Sequence, residues 1–238
     1  MATPAPHDLS LAESVSLVAC YAAVTGERLR QNKTCAGRPE RTEAAAMLME
    51  LADDESIVIE NIEFPRIQNR RRTSTARVGL NEPRNPLLLP LWQALHKQSK
   101  PRLTESLLDS MPTGKLHERL TAAGLLTQGG AFITRDLLTP EGIRVRAELS
   151  EEINSYLDLG KEAAPLGLSE RSALTLALIL YCELHGPWIA GHSPEAALEV
   201  MRRLKLAVTD LVYSSERADY RGQILLTLTS VNARDNWI

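Results

Sequence analysis

Residues 115–149, KLHERLTAAGLLTQGGAFITRDLLTPEGIRVRAEL, spell out a helix, a hairpin and a second helix in that order. Leu116, Leu120 and Ala123 recur at helical spacing up to Gly124, a residue that can take the left-handed conformation that ends a helix. Leu125-Leu126-Thr127 and Ala131-Phe132-Ile133-Thr134 are short β-prone runs on either side of Gln128-Gly129-Gly130, where two glycines supply the positive φ values of a tight turn. Thr139-Pro140-Glu141 then provides an N-cap, a proline for the first helical position and an acid for the first turn. Ile143, Val145, Ala147 and Leu149 follow in the new helix, which can extend through Ile153 and Tyr156 to Leu157.

Similar start and stop signals occur on both sides of this stretch. Residues 1–8 form a loose arm. Ser10-Leu11-Ala12-Glu13 is a capping box ahead of the apolar run Val15 to Ala22, and Thr42-Glu43 opens a helix whose alanines permit close packing. Ser56 to Glu60 has the β-branched content of a strand, and Thr75 to Leu80 can return beside it. The link between them carries Arg66, Arg70, Arg71, Arg72 and Arg77, which suits either phosphate contact or a solvated hairpin tip. Asn85-Pro86 precedes LLLPLWQALHKQ, and a short helix is expected over Thr104–Ser110.

Ser169-Glu170 starts ALTLALILYCEL, which is apolar on nearly every face and so requires helices all around it; Gly186-Pro187 is expected to end it. Ser193-Pro194-Glu195 caps one more amphipathic helix, to about Val212. The remainder, with QILLTLTSV, fits strand and helix equally. The expected fold is a mainly α single-domain helical bundle around the buried apolar Ala173–Leu184 helix, with short β-hairpins. It occupies residues 9–213, with a C-terminal tail over 214–238.

Composition narrows the function. Hydrophobic residues make up 44% and charged residues 24%, the balance of a globular domain, and a net charge of -3 gives no general attraction to polyanions. Aromatic residues at 4% leave little material for base stacking. Cys20, Cys35 and Cys182 have no metal or redox spacing, which suits a reducing compartment. MATPAPHDLS lacks the basic and apolar regions of a secretory leader, so the expected location is the cytoplasm. Glycine-rich phosphate loops, nucleophile elbows and metal-binding spacings are not found, so no catalytic residues, metal or cofactor are expected and the protein reads as non-enzymatic. His7, His96, His117, His185 and His192 are scattered and read as surface or helix-end residues. Glu151-Glu152 and Asp53-Asp54-Glu55 read as solvated edges.

The order and spacing of LSLAESVSLVA, AAAMLMELADDESIVIE, NPLLLPLWQAL, HERLTAAGLL and RSALTLALILYCELHGPW, from about residue 9 to 212, resemble the Golgi phosphoprotein 3 family. That resemblance implies a helical peripheral membrane protein that binds phosphatidylinositol 4-phosphate and engages protein cargo. It also implies an apolar hairpin, matched by Phe132, Ile133, Leu137 and Leu138, that contacts a membrane or another subunit of a homo-oligomer. The family's headgroup residues fall at Cys35, Ala44, Ser110 and Thr113, which cannot serve the same role. Arg38, Arg41, Lys115 and Arg119 lie nearby in sequence and are the candidate anionic-lipid residues. Residues 116–149 alone also resemble a winged-helix DNA-binding regulator, although nucleic acid is not the expected partner. A third alternative is an interaction scaffold that keeps the fold without the lipid.

Overall fold

In a computed structural model the structure describes residues 5–29, 38–62, 73–98, 100–127, 136–160, 168–214 and 218–235. The fold is mainly α with short antiparallel strands. Its first helix, α1 (Leu11–Ala19), starts on the expected capping box: Ser10 Oγ accepts from the Glu13 amide, and Glu13 Oε2 accepts from the Ser10 amide. Every residue from Ala12 to Ala19 is buried. The second helix, α2 (Pro39–Asp53), starts earlier than Thr42, because Pro39 fits the first turn, where a missing N–H costs nothing. Ala44, Ala45 and Ala46 are all buried, as the close approach of α1 requires.

The two helices are antiparallel: Cys20 at the end of α1 meets the Pro39 carbonyl, while the Ala12 amide donates to Glu50 Oε1 at 2.6 Å, eleven residues further along α2. Strands β1 (Ile57–Ile62) and β2 (Thr73–Val78) pair with Ile57 opposite Val78. A third strand, β3 (Arg102–Leu103), which the sequence did not signal, pairs with β2 at Thr75 and Ala76. Arg77 Nε bonds Glu60 across the sheet at 2.6 Å, whereas Arg66, Arg70, Arg71 and Arg72 lie outside the described residues. Pro90 sits in the first turn of α3 (Leu89–His96), and α4 (Thr104–Leu108) follows β3.

The helix, hairpin and helix of the opening stretch are α5 (Thr113–Ala122), β4 (Leu126–Thr127), β5 (Leu137–Leu138) and α6 (Pro140–Leu157). Gly124 takes φ of 75°. The Thr139 hydroxyl donates to the Gly124 carbonyl at 2.7 Å and accepts from the Gly142 amide at 2.9 Å, so one side chain joins the end of α5 to the start of α6. Among the described residues the return strand is Leu137–Leu138; the expected run 131–134, with Phe132 and Ile133 in it, lies outside them.

Gly142 is where this unit is most tightly closed, since a Cβ there would lie 2.1 Å from the Leu125 carbonyl oxygen. Alanine favours a helix over glycine by about 1 kcal/mol. Even so, Gly142→Ala is expected to destabilise the protein by about 1–3 kcal/mol, because backbone must move to admit the methyl group. A urea unfolding midpoint equal to or above that of the parent chain would contradict this close contact.

The apolar helix α7 (Glu170–Tyr181) packs against α1, α2, α6, α9 (Pro194–Ser214) and α10 (Ala218–Asp235), which places it at the hub as expected. It ends before Gly186-Pro187: Glu183 takes φ of 57°, and Gly186 instead begins the short α8 (Gly186–Ile189). Glu152 is no solvated edge, because its carboxylate accepts from the Ser169 amide and from the Ser169 and Ser172 hydroxyls, capping α7. Buried arginines serve the opposite helix ends. Arg146 donates to the Val18 and Tyr21 carbonyls at the end of α1, and Arg203 to those of Tyr156 and Asp158 at the end of α6.

The segment expected as a tail is part of the bundle. Ile224, Leu225 and Leu228 of α10 join the common core, and Arg221 pairs with Asp53 and Glu170. Asp53 is therefore a tertiary partner and not a solvated acid; Asp54 in turn pairs with Arg84. The N-terminal arm is also tied down at its end, where Arg171 donates to the Pro6 carbonyl at 3.0 Å. Among the described residues no helix is long and apolar enough to cross a membrane.

Candidate functional site

The most concentrated charge chemistry in the described residues lies where α1, α2, α5 and the base of the hairpin meet. Glu43, in the second turn of α2, has a fully buried side chain. Its Oε1 accepts from Ser16 Oγ at 2.6 Å and from Arg28 Nη1 at 2.9 Å, and lies 2.9 Å from His117 Nε2; Oε2 accepts from Arg28 Nη2 at 2.9 Å. The arginine is thus bidentate, the geometry that best repays burial of an ion pair. Arg28 also reaches Glu40 at 3.3 Å and lies over the Tyr21 ring at 5.7 Å. On the far side of His117, Nδ1 is 3.2 Å from Asp136 Oδ2.

Backbone geometry brings these groups together. Tyr21 and Arg28 face one another in an antiparallel bridge closed by Gly26, which takes φ of 65°. The same turn is joined to the hairpin, since Glu27 bridges Leu137 and the Leu138 amide donates to the Gly26 carbonyl at 2.9 Å. His117 projects from the flank of α5 toward this turn.

Burial pushes the Glu43 carboxyl up, but hydrogen bonds from His117 and Arg28, with the arginine's charge, outweigh it and bring the group down to about 2. Burial opposes the charge on Arg28, and its bonds to Glu43 more than restore it, so its basicity is raised. Cys20 and Tyr21 are both pushed up by burial and keep their protons; Cys182 is pushed up to about 12 for the same reason. The site therefore holds compensated charges that join four segments of chain, α2, the turn at Arg28, α5 and the hairpin base.

A second polar seam lies at the other end of α2. Glu50 accepts from Asn85 Nδ2 at 2.7 Å, Asn85 Oδ1 accepts from Arg119 at 3.2 Å, and Arg119 Nε pairs with Glu13 at 2.8 Å. Glu50, Asn85 and Arg119 border an open cleft that Asp53, Asp54, Arg84 and Arg171 also line.

The four candidate lipid residues fall in two pairs, one on α2 and one on α5. Arg38 is the exposed N-cap of α2 and Arg41 lies, half-buried, in its first turn. Lys115 is exposed on α5, and Arg119, four residues on, shares its flank and is held by Glu13. Of the hairpin residues, Leu137 is half-buried, and Leu138, at 5% exposure, closes this chain's own core.

Periodicity did not single out Arg28, His117 or Asp136, and His117 is not the surface residue expected. Glu43 carried a usable signal: it shares a helix face with Met47 and Leu51, so an acid stands at a core position and demands a buried partner. Set against models of known protein families and against curated proteins, the chain matches none.

Proposed function

We propose that this chain is a non-enzymatic peripheral membrane protein that binds anionic lipid by charge more than by headgroup shape. The observation that carries this reading is the start of α2. Its N-cap is the exposed Arg38, and Arg41 follows, half-buried, in the first turn. The positive end of a helix dipole and two guanidinium groups there suit a phosphate. Lys115, exposed on α5, adds to the attraction. The order of motifs resembling the Golgi phosphoprotein 3 family points the same way, and the substituted pocket positions argue for weaker headgroup discrimination. Attachment to a phosphoinositide is then one case of attachment to any anionic surface. Protein cargo and self-association through the hairpin are further parts of this proposal.

The winged-helix alternative has less support. Its recognition helix would be α5, which packs against α1 and α2 and whose Arg119 and His117 are taken up by Glu13 and Glu43. An interaction scaffold without lipid binding is the outcome that failure would favour.

Flotation with vesicles tests the reading. Vesicles containing phosphatidylinositol 4-phosphate or phosphatidylserine at equal surface charge are expected to capture the protein to similar extents, with capture fading as salt rises. Each basic residue near an anionic surface contributes about 1 kcal/mol, so replacing Arg38 and Arg41 together by Gln is expected to lower partitioning about thirtyfold. Strong preference for the phosphoinositide would point to a built headgroup pocket, and absence of capture by either vesicle would reject the lipid reading.

A further inference from the structure

We propose that His117 is a proton-operated latch that sets the position of Arg28. Both ring nitrogens are committed: Nδ1 lies 3.2 Å from Asp136 Oδ2, while Nε2 faces two groups at once, Glu43 Oε1 at 2.9 Å and Arg28 Nη1 at 2.8 Å. Those last two contacts need opposite states of Nε2. A guanidinium N–H can only donate, so the 2.8 Å contact is a hydrogen bond when Nε2 carries a lone pair. A carboxylate can only accept, so the 2.9 Å contact is a hydrogen bond when Nε2 carries a proton.

The neutral ring with its proton on Nδ1 satisfies Asp136 and Arg28, and leaves Nε2 facing Glu43 Oε1 with no hydrogen between them. It then donates to Asp136 and accepts from Arg28, and Arg28 keeps both bonds to Glu43. Protonation leaves the Asp136 bond in place and turns Nε2–H toward Glu43 Oε1. Arg28 Nη1 then confronts a like-charged N–H at hydrogen-bond distance and has to leave. Its Nη2 retains Glu43 Oε2 and the rim residue Glu40, and Nη1 has the Tyr21 hydroxyl beside it at 3.4 Å. One proton thus exchanges which cation holds Glu43 Oε1.

The groups facing the ring from each packed element are Glu43 and Glu40 of α2, Arg28 and Tyr21 of the turn, and Asp136 at the hairpin base. Ser16 of α1 and Cys20, which caps its end, complete the wall; Ser16 is bonded to Glu43 and the Cys20 thiol keeps its proton. Lys115 and Arg119 lie on the other flank of α5. Histidine is the side chain suited to exchange a proton in the physiological range. The latch requires no lipid, and it stands or falls independently of the proposed membrane attachment.

Nitrogen-detected NMR of the full chain tests it, with the imidazole and guanidinium resonances followed from about pH 8 to about pH 5. At the high end the His117 ring is expected as the Nδ1–H tautomer. The Arg28 side-chain resonances are expected to shift in step with protonation of His117, and the shift is expected to vanish in His117→Gln. An Nε2–H tautomer at high pH would overturn the latch, as would Arg28 resonances that stay fixed while His117 protonates. A shift that persists in His117→Gln would overturn it too. If that variant fails to fold, the parent chain's tautomer and Arg28 shift decide the matter alone.

Discussion

A chain cut after Ser214 is expected to lose cooperative folding altogether. The lost helix carries Ile224, Leu225 and Leu228, each at most 1% exposed, and Arg221, whose guanidinium ties α10 to Asp53 of α2 and Glu170 of α7. Burial of each aliphatic side chain contributes about 1.5–3 kcal/mol. Removing the three therefore forfeits roughly 5–9 kcal/mol, and the truncation also bares the surfaces of α2, α7 and α9 that they covered. A whole domain is stable by about 5–15 kcal/mol, so little remains. Circular dichroism through a urea titration checks this: the shortened chain should show a broad, weak transition or precipitate. A sharp transition within about 1 kcal/mol of the full chain would mean that α10 is an accessory after all.

Glu43→Ala is expected to destabilise the protein by about 3–5 kcal/mol, the usual result of removing one partner from a buried ion pair. The loss falls on Arg28, whose side chain is only 14% exposed and would keep the solvated Glu40 as its carboxylate. A double change, Glu43→Leu with Arg28→Met, is expected to cost less than the sum of the two single changes, because no charge is then stranded. Equal and additive losses would place the two residues outside one network.

Acid should reveal the same carboxylate. Its value of about 2 in the folded chain stands below the ordinary 4.5. Its contribution is thus complete above the ordinary value and is lost as pH falls from there through about 2, a change of roughly 3 kcal/mol. Glu50 has the opposite sign: burial raises its carboxyl, so its cost appears above the ordinary value as pH rises. Unfolding free energy measured downward from pH 4.5 should therefore fall in the parent chain, and that component should be missing in Glu43→Gln.

The sequence by itself determined the parts of this protein that depend on near neighbours. Ser10, Thr139 and Ser169 were legible as caps because each hydroxyl serves an amide three residues away. Gly124 was legible because the left-handed turn it makes is a property of one residue. The apolar faces of α1 and α7 followed from helical periodicity, and with them the mainly α architecture. QILLTLTSV fitted strand and helix alike, since β-branched residues and alternation favour one and its leucine spacing the other. Contact with α2, α7 and α9 decided in favour of helix. Lys115 and Arg119 could be placed on one flank of a helix, but only the fold supplied Glu13 as the arginine's counterion. The cluster at Glu43 was least legible, because Arg28 and His117 are separated by 89 positions and neither has an unusual local context. A charge in a sequence shows its own sign. The partner that makes its burial tolerable is chosen by tertiary packing, which alone brought Arg28, His117 and Asp136 around one buried carboxylate.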